Sequence, residues 1–275
     1  MGLILRNNAI IKNLVIGGTG GSGGEGGGGG GYSIPIETSG LQLWWDASQY
    51  TSGTTMNDLS GNSRNGTISG TPTFNSAGAS SYFAFSNSAP WGNSGQGHYI
   101  QADDTTNYFG ITQYDGLSIS VWKEVPNNTD PVNITSLGER AGNAVHLRKF
   151  RSGYPGGGAN SWEAGFAGSA TLGGTSTTSN TSAGWKNITL TMSSGTSWTM
   201  KMYLNGVELV SASATRSYSS DWFPTYVVGH ILPFEHFGTN PEYGFNGNWA
   251  NAAVYNRELT STEVLSNFNA LSSNF

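Results

Sequence analysis

The chain has no cysteine, little charge and no long apolar run, and each absence removes a class of function. Without cysteine it forms no disulfide and no thiolate metal site, so packing alone must hold the fold. Charged residues make up only 11% of the 275 positions, and 12 Lys and Arg against 17 Asp and Glu leave a net charge of -5. So thin and acidic a field does not hold a nucleic-acid backbone through general attraction. No stretch approaches the roughly 18 apolar residues that a spanning helix needs. Near the start, Arg6-Asn7-Asn8 and Lys12-Asn13 break up any secretory leader, and Arg6 stands where a myristoylation signal wants Ser or Thr. Synthesis and folding in a cytoplasm, with no signal peptide, are therefore expected. No period of roughly 20–50 residues recurs, which argues against a solenoid or a propeller.

What is abundant is glycine, 41 residues of it, together with Ser, Thr, Asn and aromatic rings. That is the composition of short strands joined by many turns. A sandwich of this length has a core large enough to stand without covalent staples. Three segments are predicted. Residues 1–16 form an N-terminal arm, 17–31 a glycine-rich tether, and 32–275 one large β-sandwich.

The arm carries two short apolar bursts, Leu3, Ile4 and Leu5, then Ile10, Ile11, Leu14, Val15 and Ile16. Pieces this short do not fold alone. The tether is glycine except for Thr19, Ser22 and Glu25. As a flexible coil its ends would lie about 20 Å apart, with a ceiling of about 50 Å. One reading is a disordered linker behind a frayed terminus. The other, preferred here, is that those apolar residues anchor the chain to a larger assembly by strand addition or groove insertion.

Within the sandwich, period-two alternation marks several strands. Leu117, Ile119 and Val121 alternate with Ser118, Ser120 and Trp122, which reads as a half-buried strand. Ile188, Leu190 and Met192 alternate with Asn187, Thr189 and Thr191. Trp198, Met200, Met202 and Leu204 share one face, with Thr199, Lys201 and Tyr203 on the other. Burying such a face supplies on the order of 6–12 kcal/mol before the entropy of ordering. Asn205-Gly206 then supplies the two positive φ angles of a type I′ hairpin turn. Residues 152–184 carry few apolar side chains and are expected to form long loops with one strand near 161–166. At the end, Thr260 and Glu263 make the T-x-x-E capping box of a helix, with Leu259 and Val264 as its hydrophobic staple. Val264, Leu265, Phe268 and Leu271 recur at helical spacing along it.

These motifs, with an opening strand LQLWWDAS at 41–48 and a turn DLSGNSRNG at 58–66, occur in a set order closed by YNRELTSTEV at 255–264. In that order they resemble the laminin G-like group of concanavalin A-like jelly rolls common in bacteriophage and bacterial surface proteins. The resemblance covers roughly residues 40–271. It implies an all-β, two-sheet antiparallel jelly-roll sandwich with a short C-terminal helix. It also implies a carbohydrate-binding, virion or cell-surface role, with glycoside hydrolysis in a minority of relatives. The expected function is a non-enzymatic virion surface protein, either a capsid decoration or a tail appendage. Its expected partners are other virion proteins through the arm, host polysaccharide, and further copies of the chain; neither nucleic acid nor a membrane span is expected.

Candidate sites follow from residue chemistry. Glycan hydrolysis needs two carboxyls a set distance apart. The nearest acidic pairs, Asp103-Asp104 and Glu258 with Glu263, do not present same-face carboxyls on a central strand. Aromatics in loops that bury them poorly are candidate sugar platforms: Trp91, Tyr154 and Trp222. Closing loops onto the sandwich is the competing role for each. A basic cluster gathers Arg140, Arg148, Lys149 and Arg151, and alternation would put Arg148 on one face with His146 and Phe150. Arg148 and Arg151 are candidates for an anionic glycan; the competing reading is a charged guard on an exposed strand edge. His230, Glu235 and His236 fall in a loop sequence that gives no zinc geometry. No cofactor is expected. The one ion that the resemblance raises is calcium near the last strand, with Asp46, Asp58 and Asn251 as possible ligands, although Asn251 here replaces the family's usual acid.

Overall fold

A computed structural model describes residues 33–86, 98–103, 109, 111, 115–125, 132–138, 144–149, 162–166, 170–174, 183–215, 225–228 and 247–275. They belong to the unit Ser33–Phe275. In chain order the strands are β1 (Leu41–Asp46), β2 (Thr55–Met56), β3 (Gly66–Ser69), β4 (Thr73–Asn75), β5 (Tyr82–Phe85), β6 (Tyr99–Asp103), β7 (Leu117–Val125) and β8 (Val132–Gly138). There follow β9 (Ala144–Lys149), β10 (Trp162–Phe166), β11 (Ala170–Gly174), β12 (Gly184–Met192), β13 (Ser197–Leu204), β14 (Val207–Thr215), β15 (Thr225–Val228), β16 (Gly247–Tyr255) and the helix α1 (Ser261–Leu271).

Among the described residues these strands make two antiparallel sheets of eight strands each. Sheet A runs β14-β13-β12-β7-β16-β5-β4, with β1 also paired to β16, and sheet B runs β11-β10-β9-β8-β15-β6-β3-β2. Strand β16 is shared along its length. Its first half pairs with β5 and its second half with β1, and the register shifts between Trp249 and Asn251, where the partner changes. The all-β jelly-roll sandwich predicted from sequence is the architecture observed.

The core between the sheets follows the alternation. Leu117, Ile119 and Val121 of β7, Ile188, Leu190 and Met192 of β12, and Trp198, Met200 and Met202 of β13 are all buried there. Sheet B contributes Ile100, Val145, Leu147 and Val228 to the same cluster. The far side of sheet A departs from expectation, because it is buried as well. Trp122, expected on a half-exposed face, is only 3% exposed. Phe268 of α1 stacks on its indole at 5.6 Å, and Phe275 covers it at 4.9 Å. Beneath them a second cluster joins Ile36, Trp44, Tyr203, Tyr255, Leu259 and Val264. Several buried polar residues on this face of sheet A bond to one another. Asn187 Nδ2 donates to Ser120 Oγ at 3.1 Å, and Thr189 Oγ1 donates to the same oxygen at 2.9 Å.

The turn and the cap form as the sequence predicts. Asn205 and Gly206 sit at φ 51° and 78°. The tip bonds back to β12: Asn205 N donates to Asn187 O at 2.8 Å, and Asn187 N to Asn205 Oδ1 at 3.0 Å. Thr260 Oγ1 accepts from Glu263 N at 3.3 Å, and Glu263 Oε2 accepts from Thr260 N at 2.8 Å. Leu265 is the exception on the helix. It is 43% exposed, and Asn267 takes its expected place on the buried side. Asn267 is fixed there by polar partners, accepting from Glu37 N at 2.8 Å and donating to Tyr255 Oη at 3.1 Å.

Arg257 ties the segment before β1 to the helix. Its guanidinium donates to Glu263 through both terminal nitrogens, at 3.0 and 2.8 Å, and to Ser39 O at 2.8 Å. That bidentate contact holds the Glu263 carboxyl down at about 2. At Gly116 an added Cβ would come within 2.7 Å of the Glu258 backbone nitrogen, so no side chain fits where β7 begins beside this linker.

Candidate carbohydrate-binding face

Strand β9 sets the geometry of the candidate face. Val145 and Leu147 are fully buried in the core, so the alternate positions His146 and Arg148 lie on the opposite face of sheet B. Arg148 is opposite Asn133 on β8 and opposite Glu163 on β10. Glu163 in turn is opposite Gly173 on β11. One step along, His146 is opposite Ser136 on β8 and Gly165 on β10. The register shift on β8 between Asn133 and Thr135 adds a residue that brings Asn133 into Arg148's row.

Asn133, Arg148 and Glu163 thus occupy neighbouring register positions on three adjacent strands. Directly opposed residues lie about 5 Å apart, so the row matches the span of one or two sugar rings. A guanidinium there has the fork of donors that recognises carboxylate or sulfate, and the flanking amide and carboxylate suit hydroxyls.

This placement changes the competing reading of the basic cluster. Strand β9 lies between β8 and β10. It is an interior strand, so Arg148 guards no edge. Lys149 pairs with Val132 and Trp162 at the end of the strand. The shared face of His146 and Arg148 is as expected. Arg140, Phe150 and Arg151 lie outside the described residues, as do the loop aromatics Trp91, Tyr154 and Trp222. The anchoring residues Leu3, Ile4, Leu5, Ile10, Ile11, Leu14, Val15 and Ile16 lie outside them too, as do Asp104, His230, Glu235 and His236. Sequence reasoning missed Asn133 and Glu163 as partners of Arg148. No local pattern marks either of them, and strand pairing is the signal that joins the three.

Two of the three possible calcium ligands are adjacent, and the third lies in the turn at 58–66. Asp46 and Asn251 are direct cross-strand neighbours on β1 and β16. Asp46 Oδ1 accepts from Ser48 N at 2.9 Å and caps a 3-10 turn. Asp58 has a different task. Its carboxylate accepts from Trp44 N at 2.9 Å, Ser60 N at 3.0 Å, Ser60 Oγ at 2.8 Å and Arg64 N at 2.9 Å, which organises the turn after β1. Calcium takes roughly six to eight oxygens. One capping carboxylate beside one buried amide falls short of that, and the described residues hold no cluster of three His, Asp or Glu that would make a metal site.

The fold defines a class, the lectin-like jelly rolls. The chain belongs to the concanavalin A-like lectin/glucanases superfamily, whose profile matches residues 94–265, more than half of its length. No curated protein matches it by sequence. Among solved structures it is similar to the binding domain of botulinum neurotoxin serotype D/C, with a TM-score of 0.58 and 16% identity over 85% of this chain and 53% of that one. It is similar to a botulinum neurotoxin type C structure whose cell entry depends on two ganglioside molecules, with a TM-score of 0.59, 15% identity, and coverage of 85% and 52%. A Trypanosoma rangeli sialidase matches with a TM-score of 0.58 and 13% identity over 87% of this chain and 34% of that one. The chain therefore spans about half the length of the toxin domains and about a third of the sialidase.

Proposed function

We propose that this chain is a non-enzymatic surface module of a virion, a capsid decoration or tail appendage, whose sandwich binds acidic host glycans. The observation that carries the reading is Arg148, in register between Asn133 and Glu163 on an interior strand of sheet B. A cation with no edge to guard and with hydrogen-bonding groups on both sides suits a sulfated or carboxylated sugar. Family membership and the likeness to ganglioside-dependent toxin domains support a carbohydrate ligand. The particle attachment rests on the arm, whose apolar bursts precede a glycine-rich tract. In the same proposal the partners are other virion proteins and copies of this chain.

A glycan hydrolase is the second reading, favoured by the sialidase among the similar structures. In most glycoside hydrolases that chemistry needs two carboxyls about 5 to 10 Å apart, sialidases with a tyrosine nucleophile being an exception. Among the described strand positions of sheet B the acids are Glu163 on β10 and Asp103 on β6, with β9, β8 and β15 between them. At about 4.8 Å per strand that separation is roughly 19 Å, too far for these two to act as a carboxyl pair.

The test is titration of the full chain with sulfated and carboxylated polysaccharides and lipopolysaccharide, with released sugar assayed in parallel. Binding without release supports the proposal; release of reducing ends supports the hydrolase. Deleting residues 2–16 is expected to abolish incorporation into particles while leaving the sandwich folded. Unchanged incorporation would end the attachment claim.

A further inference from the structure

We infer that the outer face of sheet A carries a second saccharide site, selective for neutral sugars and built on Trp185. It lies on the opposite sheet from Arg148 and has the opposite charge. Four residues form a register row across four strands: Trp185 of β12 opposite Glu124 of β7, Glu124 opposite Asn248 of β16, and Asn248 opposite Ala84 of β5. All four are partly exposed, whereas the next outward-facing residues along β12, β7 and β16, namely Asn187, Trp122 and Ala250, are buried. The row is therefore where this otherwise covered face meets water.

Its chemistry is that of a sugar subsite. Two other rings hold the Trp185 indole: Phe275 at 4.5 Å, and Tyr82 edge-on at 5.8 Å. Phe275 is itself seated on Trp122. A platform fixed in this way loses little conformational entropy when a ligand stacks on it. The C–H face of a pyranose carries partial positive charge and suits the negative face of an indole. Beside the ring, Asn248 Nδ2 donates to Glu124 Oε2. That bond orients both groups and leaves Glu124 Oε1, Asn248 Oδ1 and one amide hydrogen for adjacent hydroxyls.

Charge sets the specificity. Among the described residues Glu124 forms no ion pair, and unlike Glu163, which has Arg148 opposite it, its register neighbours Trp185 and Asn248 carry no charge, so its carboxylate repels a sulfated or carboxylated sugar and accepts from the hydroxyls of a neutral one. The two faces of the sandwich then read different parts of a mixed polysaccharide, and low affinity at each would be raised by engaging both.

The experiment is calorimetric titration of the full chain with neutral hexasaccharides of glucose, galactose, mannose and N-acetylglucosamine, and with their sulfated counterparts. At least one neutral hexasaccharide is expected to bind. Glu124→Ala and Asn248→Ala, which leave the aromatic wall in place, should each weaken it about tenfold, the worth of one good hydrogen bond. Trp185→Ala should abolish it, and thermal melting will show whether that variant still folds. Arg148→Ala should leave neutral binding unchanged, which separates this site from the acidic-glycan face. If no neutral hexasaccharide binds, or if both polar variants bind as tightly as the parent, the row merely closes the helix onto the sheet and the inference fails.

Discussion

The two sheets of this sandwich meet different demands. Sheet A is buried on both faces at its centre. One side fills the core with Ile119, Val121, Leu190 and Met200, and the other carries Trp122, Tyr203 and Tyr255 under α1. Sheet B gives Val145, Leu147, Ile100 and Val228 to the same core, while its alternate positions on β8, β9 and β10 are Asn133, His146, Arg148 and Glu163. A sheet clamped between two apolar layers is a scaffold. A sheet whose second face carries polar residue types at neighbouring register positions has the means to offer a ligand site.

The largest effects should therefore fall on sheet A, and equally on both of its faces. Leu190→Ala on the core side should cost about 2–5 kcal/mol, and Trp122→Ala on the helix side about 3–5 kcal/mol. Urea unfolding followed by fluorescence and circular dichroism measures both. If Trp122→Ala cost less than 1 kcal/mol, the outer layer would be a loose cover rather than a second core.

The next effect concerns how that layer is fastened. The contact with Arg257 lowers Glu263 from an ordinary 4.5 to about 2. A carboxyl depressed on folding contributes stability above its unfolded value, and that contribution drains away as pH falls through the folded one. The melting temperature should decline between about pH 4.5 and 2, and Arg257→Ala should flatten that decline. An identical acid profile in the variant would remove Arg257 from the account. Removing the cap with Thr260→Ala should cost about 1 kcal/mol in the same unfolding assay.

Sheet B supplies the smallest effect on stability. Arg148→Ala, at a position facing away from the core, should change unfolding by less than about 0.5 kcal/mol. A cost of 2 kcal/mol or more would mean that this face is a structural layer like the one on sheet A.

The same contrast explains what the sequence disclosed. The core between the sheets was legible because period-two alternation in 117–121, 188–192 and 198–204 reports burial directly. The outer layer was not, because Ser118, Ser120, Asn187 and Thr189 look solvent-facing until their mutual hydrogen bonds and the covering helix are seen. Leu265 misled for the converse reason: its helical spacing was right, but Asn267, bonded to Tyr255 and Glu37, holds the buried place. Strand β11 was hidden, since Ala-Thr-Leu-Gly-Gly has one large apolar side chain and no alternation; its ladder to β10 makes it a strand. Of the candidate site, Arg148 and its shared face with His146 were readable from local alternation. Asn133 and Glu163 were not, because non-local pairing brings them to it.

The central claim is that Arg148 recognises an anionic sugar from an interior position in sheet B. The direct test is calorimetry of the parent chain and Arg148→Ala against heparin and against the same polymer after desulfation. The account predicts that the parent binds the sulfated polymer at least tenfold more tightly than the desulfated one, and that the variant loses this preference while keeping its melting temperature. Equal binding of the two polymers by the parent, or an undiminished preference in the variant, would contradict it.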